Sequence, residues 1–184
     1  NARRRQPRDV RAYDLFLQGY RLSDVDTPEA QEQACVLFQR ACELDPTFAA
    51  AYAARGFAYS VQGQAERALV DYNKAIDLGV ADANVYNNRG NAYDDLGERE
   101  KALADYTRVI ELTPDEAIGY YNRAAIYAQL GDAARALADL DRAIALDPDD
   151  PDALHNRGLV YVTQGDNARA VEDYTAAIKL DPTD

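Results

Sequence analysis

Apolar and small residues recur along most of this chain at the three- and four-residue spacing of a helix, broken at regular intervals by glycine or proline. In residues 83–116, Tyr86, Gly90 and Tyr93 fall on one stripe, and Ala102, Tyr106, Val109 and Ile110 fall on another. Each segment therefore has one face to bury and one to solvate. Gly97 separates the two, and glycine adopts the left-handed conformation that ends a helix without a Cβ penalty. Thr113-Pro114-Asp115 stops the second segment, because proline has no N–H to continue the ladder. The pattern predicts two antiparallel helices joined by a tight turn.

The same pattern returns with a fixed period. Gly56, Gly90, Ala124 and Gly158 stand 34 residues apart, as do Tyr59, Tyr93, Tyr127 and Tyr161. So do Gly63, Gly97, Gly131 and Gly165, and Ala68, Ala102, Ala136 and Ala170. A period of this length is the mark of stacked supersecondary units, none of which can bury its apolar face alone.

These columns resemble the tetratricopeptide repeat (TPR) family, whose pattern sets a large residue at position 4, small residues at 8, 20 and 27, aromatics at 11 and 24, and proline at 32. Residues 49–82, 83–116, 117–150 and 151–184 are four units in that register. Departures are local: Val80 replaces the proline, Leu140 and Leu154 replace aromatics, and Val109 replaces a small residue. A divergent first unit spans 12–48, where Ala34, Phe38 and Ala41 take second-helix positions counted back from Pro46. Gly19 stands fifteen residues before Ala34, where the other units leave twelve. The surplus is assigned to a longer surface turn through Ser23-Asp24-Val25-Asp26-Thr27-Pro28, with Thr27 or Asp26 capping the next helix. The resemblance implies an all-α, right-handed superhelical solenoid of antiparallel helix pairs, with about five repeats and ten helices. First helices would line a concave groove and second helices a convex back.

Charge narrows the choice of partner. The net charge is −12, yet Arg3, Arg4, Arg5, Arg8 and Arg11 crowd the first eleven residues, a basic leader that reads as a solvated linker. Residues 12–184 carry 15 basic against 31 acidic side chains, so the repeats repel phosphate backbones and anionic lipid. No apolar run approaches the ~20 residues that span a bilayer. Nucleic acid and membrane insertion are therefore not expected.

Candidate chemistry is sparse. Cys35 and Cys42 are seven apart; on one helix their Cα atoms would be roughly 10 Å apart, too far for a disulfide. They read as two buried thiols. His155 is the single histidine, with no clustered cysteines beside it, so neither a metal site nor a nucleophilic triad is supported. Asp149-Asp150 reads as a solvated cap, and the glycines follow the repeat rather than a phosphate loop. No catalytic residue, cofactor or metal is assigned.

The remaining columns point to binding. Ten of thirteen tyrosines occupy packing positions 4, 11 or 24; Tyr121 at position 5 and Phe57 at position 9 are the exceptions facing the groove. Arg55, Arg89, Arg123 and Arg157 at position 7 match Asp71, Asp105, Asp139 and Asp173 at position 23, which predicts structural ion pairs between helices. Charge reversal at Asp105 should then destabilise the array, and reversal at Arg89 as well should partly restore it. Asn88, Asn122 and Asn156 recur at position 6, widened by Asn84, Asn87 and Asn91 and edged by Asp94 and Asp95. Two readings of these amides stand: solvated residues inherited with the repeat, or donor–acceptor groups for a peptide backbone. The second resembles the asparagine ladder of O-linked N-acetylglucosamine transferase repeat domains. The basic clamp of chaperone-binding family members has no counterpart, since those positions hold Ala53, Asn87, Tyr121 and His155. The candidate groove is therefore Asn84, Asn87, Asn88, Asn91, Phe57, Tyr121, Asn122, His155, Asn156 and Leu159.

The functional expectation is a protein-interaction scaffold taking a neutral or basic peptide, or an amphipathic helix, in its concave groove. An alternative is a regulatory arm of a larger bacterial protein: Arg3-Arg4-Arg5-Gln6-Pro7 and Ala12-Tyr13-Asp14-Leu15-Phe16-Leu17-Gln18-Gly19 resemble the lead-in to repeat domains of nucleotide cyclases and winged-helix regulators. A third is self-association through the array ends, where Tyr174, Ala177 and Ile178 would be partly uncovered and where either continuation of the native protein or end-to-end contact is expected.

Overall fold

The computed structural model describes residues 7–25 and 27–181, and these form ten α-helices and no strand. The expected all-α repeat fold is present. The helices fall into two compact units, and the division lies between α5 and α6, inside the repeat 83–116.

The first unit holds α1 (Val10–Ser23), α2 (Pro28–Leu44), α3 (Ala49–Val61), α4 (Ala65–Asp77) and α5 (Ala83–Asp95). Consecutive helices pack on one another, and α1, α3 and α5 also touch side by side. The second unit holds α6 (Arg99–Leu112), α7 (Ala117–Gln129), α8 (Ala133–Leu146), α9 (Pro151–Thr163) and α10 (Asn167–Leu180). Here α7 and α9 lie side by side, each against its own second helix, α8 or α10.

Within a repeat, a glycine on the first helix meets a ring on the second. A Cβ on Gly56 would stand 2.9 Å from the ring of Tyr72, and one on Gly158 would stand 2.7 Å from the ring of Tyr174. Gly19 relates to Phe38 in the same way, at 2.8 Å. The ring takes the volume that a side chain would need, so the two helices approach closely. Alanines at 68, 136 and 170 complete the contact from the second helix, with at most 2% of their surface exposed.

Local chemistry explains where the helices stop. Gly131 has φ +75°, and the following Asp132 N–H donates to the Tyr127 carbonyl at 2.8 Å, closing α7. Asp132 then accepts the Arg135 N–H at 3.0 Å and caps α8, so three residues both end one helix and begin the next. The departure at Val80 has a use: Gly79 takes φ +96°, and the Val80 N–H, which proline would lack, donates to the Ala75 carbonyl at 3.0 Å.

Two boundaries differ from expectation. Asp9 caps α1, which begins at Val10, inside the stretch read as leader; Arg3, Arg4 and Arg5 lie outside the described residues. The surplus in the first repeat lengthens a helix more than a turn. Its connection, 24–27, is one residue longer than 62–64, 130–132 or 164–166, whereas α2 starts six residues before Ala34 and α4 only three before Ala68. Thr27 is the cap, accepting the Ala30 N–H at 3.3 Å, and Pro28 suits the first turn, where its missing N–H is not needed. The alternative cap, Asp26, lies outside the described residues.

Candidate functional site

All ten candidate residues lie on first helices, five in each of the two units. Phe57 on α3 and Asn84, Asn87, Asn88 and Asn91 on α5 belong to the first unit. Phe57 is exposed, as are Asn84 and Asn91, while Asn87 and Asn88 are half-buried. Tyr121 and Asn122 on α7, with His155, Asn156 and Leu159 on α9, belong to the second.

In the second unit, Asn156 donates from Nδ2 to the Tyr121 hydroxyl at 2.9 Å, bridging the two first helices. One amide of the asparagine column thus holds a neighbouring tyrosine, a use that neither sequence reading foresaw. Burial raises the Tyr121 pKa above the ordinary phenol value, so this hydroxyl stays protonated and retains its own proton to donate. Leu159 is exposed one turn further along α9. His155 is also exposed, but its ring lies 5.4 Å from that of Tyr174 on α10. Ala177, expected to be uncovered, is buried, whereas Ile178 is exposed.

Asn156 and Leu159 border a groove of about 600 Å³ between α7, α8 and α9. Its floor is apolar, from the buried Ala124, Leu140 and Val160, and its rim carries the exposed Ala128 with the uncharged Gln129 and Gln164. Sequence reasoning missed most of these residues, although it held the signal. Ala124 departs from the glycine column and Leu140 from the aromatic column, in the same repeat. Reading the two departures together, rather than column by column, marks the place where a ring is missing.

The arginine column is structural where the structure describes its partners. Arg55 holds Asp71 through two bonds of 2.7 Å, Arg123 holds Asp139 at 2.7 and 2.8 Å, and Arg157 holds Asp173 at 2.8 and 2.7 Å. These paired bonds favour the charged guanidinium and raise the pKa of all three arginines. Arg123 and Arg157 also reach the preceding repeat, at Thr107 (3.2 Å) and Asp141 (2.7 Å), as Arg89 reaches Asn73 at 2.7 Å. One guanidinium thus ties its own repeat together and fastens it to its neighbour. A second set of cations covers tyrosine faces: Arg67 lies 3.9 Å from the ring centre of Tyr59, Arg135 4.4 Å from Tyr127 and Arg169 4.3 Å from Tyr161.

Cys35 and Cys42 both lie on α2 and are free. Burial pushes the Cys42 thiol up to about 12 and also raises Cys35, the reverse of an activated nucleophile. Among the described residues no cluster of three or more histidines, cysteines or acids is arranged to hold a metal, and no helix is long and apolar enough to cross a membrane.

A family model described as tetratricopeptide repeat matches residues 90–155 and 132–184, together more than half of the chain. The chain is a tetratricopeptide-repeat protein. Further TPR models match residues 61–97 and 37–70, the latter extending into the divergent first repeat. No curated protein matches the chain in sequence. Among solved structures, MamA of Desulfovibrio magneticus RS-1 superposes with a TM-score of 0.86 at 18% identity, covering 95% of this chain and 97% of that one. A TPR protein of Parabacteroides merdae gives 0.82 at 22% identity, covering 96% and 69%. Both likenesses concern the fold. YrrB, described as a TPR protein with an unusual peptide-binding site, gives 0.78 at 25% identity, covering 94% and 87%.

Proposed function

We propose that this TPR protein is a scaffold that binds a neutral or basic peptide segment of another protein along its first helices. The observation that carries the reading is the groove between α7, α8 and α9, with its apolar floor and uncharged amide rim. Apolar anchors supply affinity in such a site, while amides fix the direction of a bound backbone. Residues 99–184 hold 9 basic and 17 acidic side chains, which favours a partner that is not acidic. The peptide-binding description of YrrB is consistent with this use of the fold.

Selection from a displayed peptide library on the full chain tests the reading. Enriched peptides should be neutral or basic, and Leu159→Lys or the combined Asn122→Ala and Asn156→Ala variant should weaken their binding about tenfold. Failure to enrich any peptide, or binding indifferent to all of these changes, would reject it.

A separate observation supports self-association. Leu154, Val171, Ala176 and Leu180, with Glu172 and Lys179 among them, frame a mainly apolar hollow of about 620 Å³ on α9 and α10, and Ile178 on α10 is exposed. Sedimentation velocity should show a concentration-dependent dimer that Val171→Glu abolishes; a monomer at every concentration would contradict this second reading.

A further inference from the structure

In two other repeats, one in each unit, a tyrosine ring lies directly against a first-helix glycine: Tyr72 on Gly56 and Tyr174 on Gly158. The distal end of such a ring reaches well along the first helix, since the Tyr72 hydroxyl stands 3.2 Å from Ser60 Oγ. Ser60 is four residues beyond Gly56, and the residue in that register of α7 is Ala128. In the repeat 117–150 the pair is instead Ala124 and Leu140, both buried and packed in one cluster. The alanine methyl and the leucine take the base of the ring's site, and the buried Val160 of α9 packs with them in the same cluster. The groove opens beside this cluster, lined by Ala124, Leu140 and Val160 and flanked by the exposed Ala128 of α7 and Leu159 of α9.

Resting on the scaffold reading above, we infer that this groove is a specificity pocket that takes one aromatic side chain from the bound peptide. The ring enters where the chain's own ring is missing. The floor that would receive it is made of methyl and isobutyl groups, which suit a flat ring and offer no partner to a buried charge. Around the mouth, the Gln164 amide, the Asn156 carbonyl oxygen and the Gln129 Nε2 face the peptide backbone, while Asn156 Nδ2 is held by Tyr121 and Gln129 Oε1 by Arg99 at 2.8 Å. Beyond that rim the excess of acids favours lysine or arginine next to the anchor, and disfavours a flanking aspartate or glutamate. A volume of about 600 Å³ admits such a side chain together with neighbouring backbone.

The test is to give the repeat back its ring. The double variant Ala124→Gly, Leu140→Tyr installs a pair that the chain already uses elsewhere, and Ala128→Phe fills the pocket from an exposed position that the core does not depend on. Displayed peptides selected on the unmodified full chain should share one aromatic position with basic or uncharged flanks. Synthetic versions, followed by fluorescence anisotropy, should bind both filled variants at least about tenfold more weakly, and an alanine at the aromatic position should cost the same. The thermal transition of each variant reports whether it has folded. Selected peptides without a shared aromatic, or peptides that bind a folded, filled variant undiminished, overturn the aromatic pocket while leaving the scaffold reading in place. If the library yields no peptide at all, both fall together.

Discussion

Asp139 holds Arg123 through two short bonds while one tenth of its side chain and one fifth of the arginine's meet solvent. Removing either partner strands the other among packed helices. Asp139→Ala should therefore cost about 2–3 kcal/mol, somewhat below the penalty for a completely buried pair because the guanidinium keeps some water. Exchanging the two as Arg123→Asp with Asp139→Arg should recover part of the loss, and a urea-denaturation cycle over the four proteins checks it. Additive losses would mean that the pair is not coupled. The 16-residue spacing made this pairing legible from sequence. The additional bonds to Asn73, Thr107 and Asp141 were not, because that register changes residue type from repeat to repeat and looks like noise until the helices are placed. Gly56 allows a second test at this scale. Alanine there would gain helix propensity, but its Cβ would meet the buried Tyr72 ring and stand 3.3 Å from the Ala68 carbonyl. Gly56→Ala should be destabilising by about 1–3 kcal/mol. Adding Tyr72→Leu, which reproduces the Ala124–Leu140 pair, should relieve the clash, measured as a partial return of the urea midpoint.

At the scale of elements, the short connections do two things at once. Asp166 accepts the Arg169 N–H at 3.1 Å and its other oxygen receives Arg169 Nε at 2.7 Å, while the same guanidinium covers Tyr161. Asp166→Ala should destabilise the first turn of α10, and hydrogen exchange should accelerate there before it changes in α9. Uniform acceleration across both helices would show that the cap supports the whole hairpin instead. The extension of α2 belongs to this scale too. Glu29-Ala30-Gln31-Glu32-Gln33 are good helix formers following a Thr-Pro start, so the sequence did carry the signal that the surplus residues are helical. Counting only the gap between Gly19 and Ala34 concealed it. Gln31 shows the gain from the extension: its Nε2 donates to the Ser23 and Val25 carbonyls and closes the end of α1. The candidate site was legible in the same partial way. Helix periodicity named the face, and so found Asn156 and Leu159, but a pocket is a property of volume between helices and appears only when a missing ring is matched to a nearby alanine.

For the molecule as a whole, buried weak acids set an alkaline limit. Burial moves the Cys42 thiol from 9.0 to about 12 and the Tyr72 phenol from 10.0 to about 12, and it also raises Cys35, Tyr52 and Tyr59. In each case the folded protein holds its proton more tightly than the unfolded chain does. Between the unfolded and folded pKa values the unfolded state therefore loses protons that the native state keeps, and unfolding is favoured as pH rises. The stability is complete below about pH 9 and is lost progressively toward pH 12, with the thiols starting the decline and the phenols joining it near pH 10. Urea midpoints measured at half-unit steps should be flat from pH 7.5 to 8.5 and then fall. Cys42→Ala lowers the plateau by removing buried volume, but it should make the decline between pH 9 and 10 shallower, because one of the groups titrating there is gone. An unchanged slope in that interval would mean that the native state deprotonates Cys42 as readily as the unfolded chain does, through a local opening of α2 against α3 rather than global unfolding.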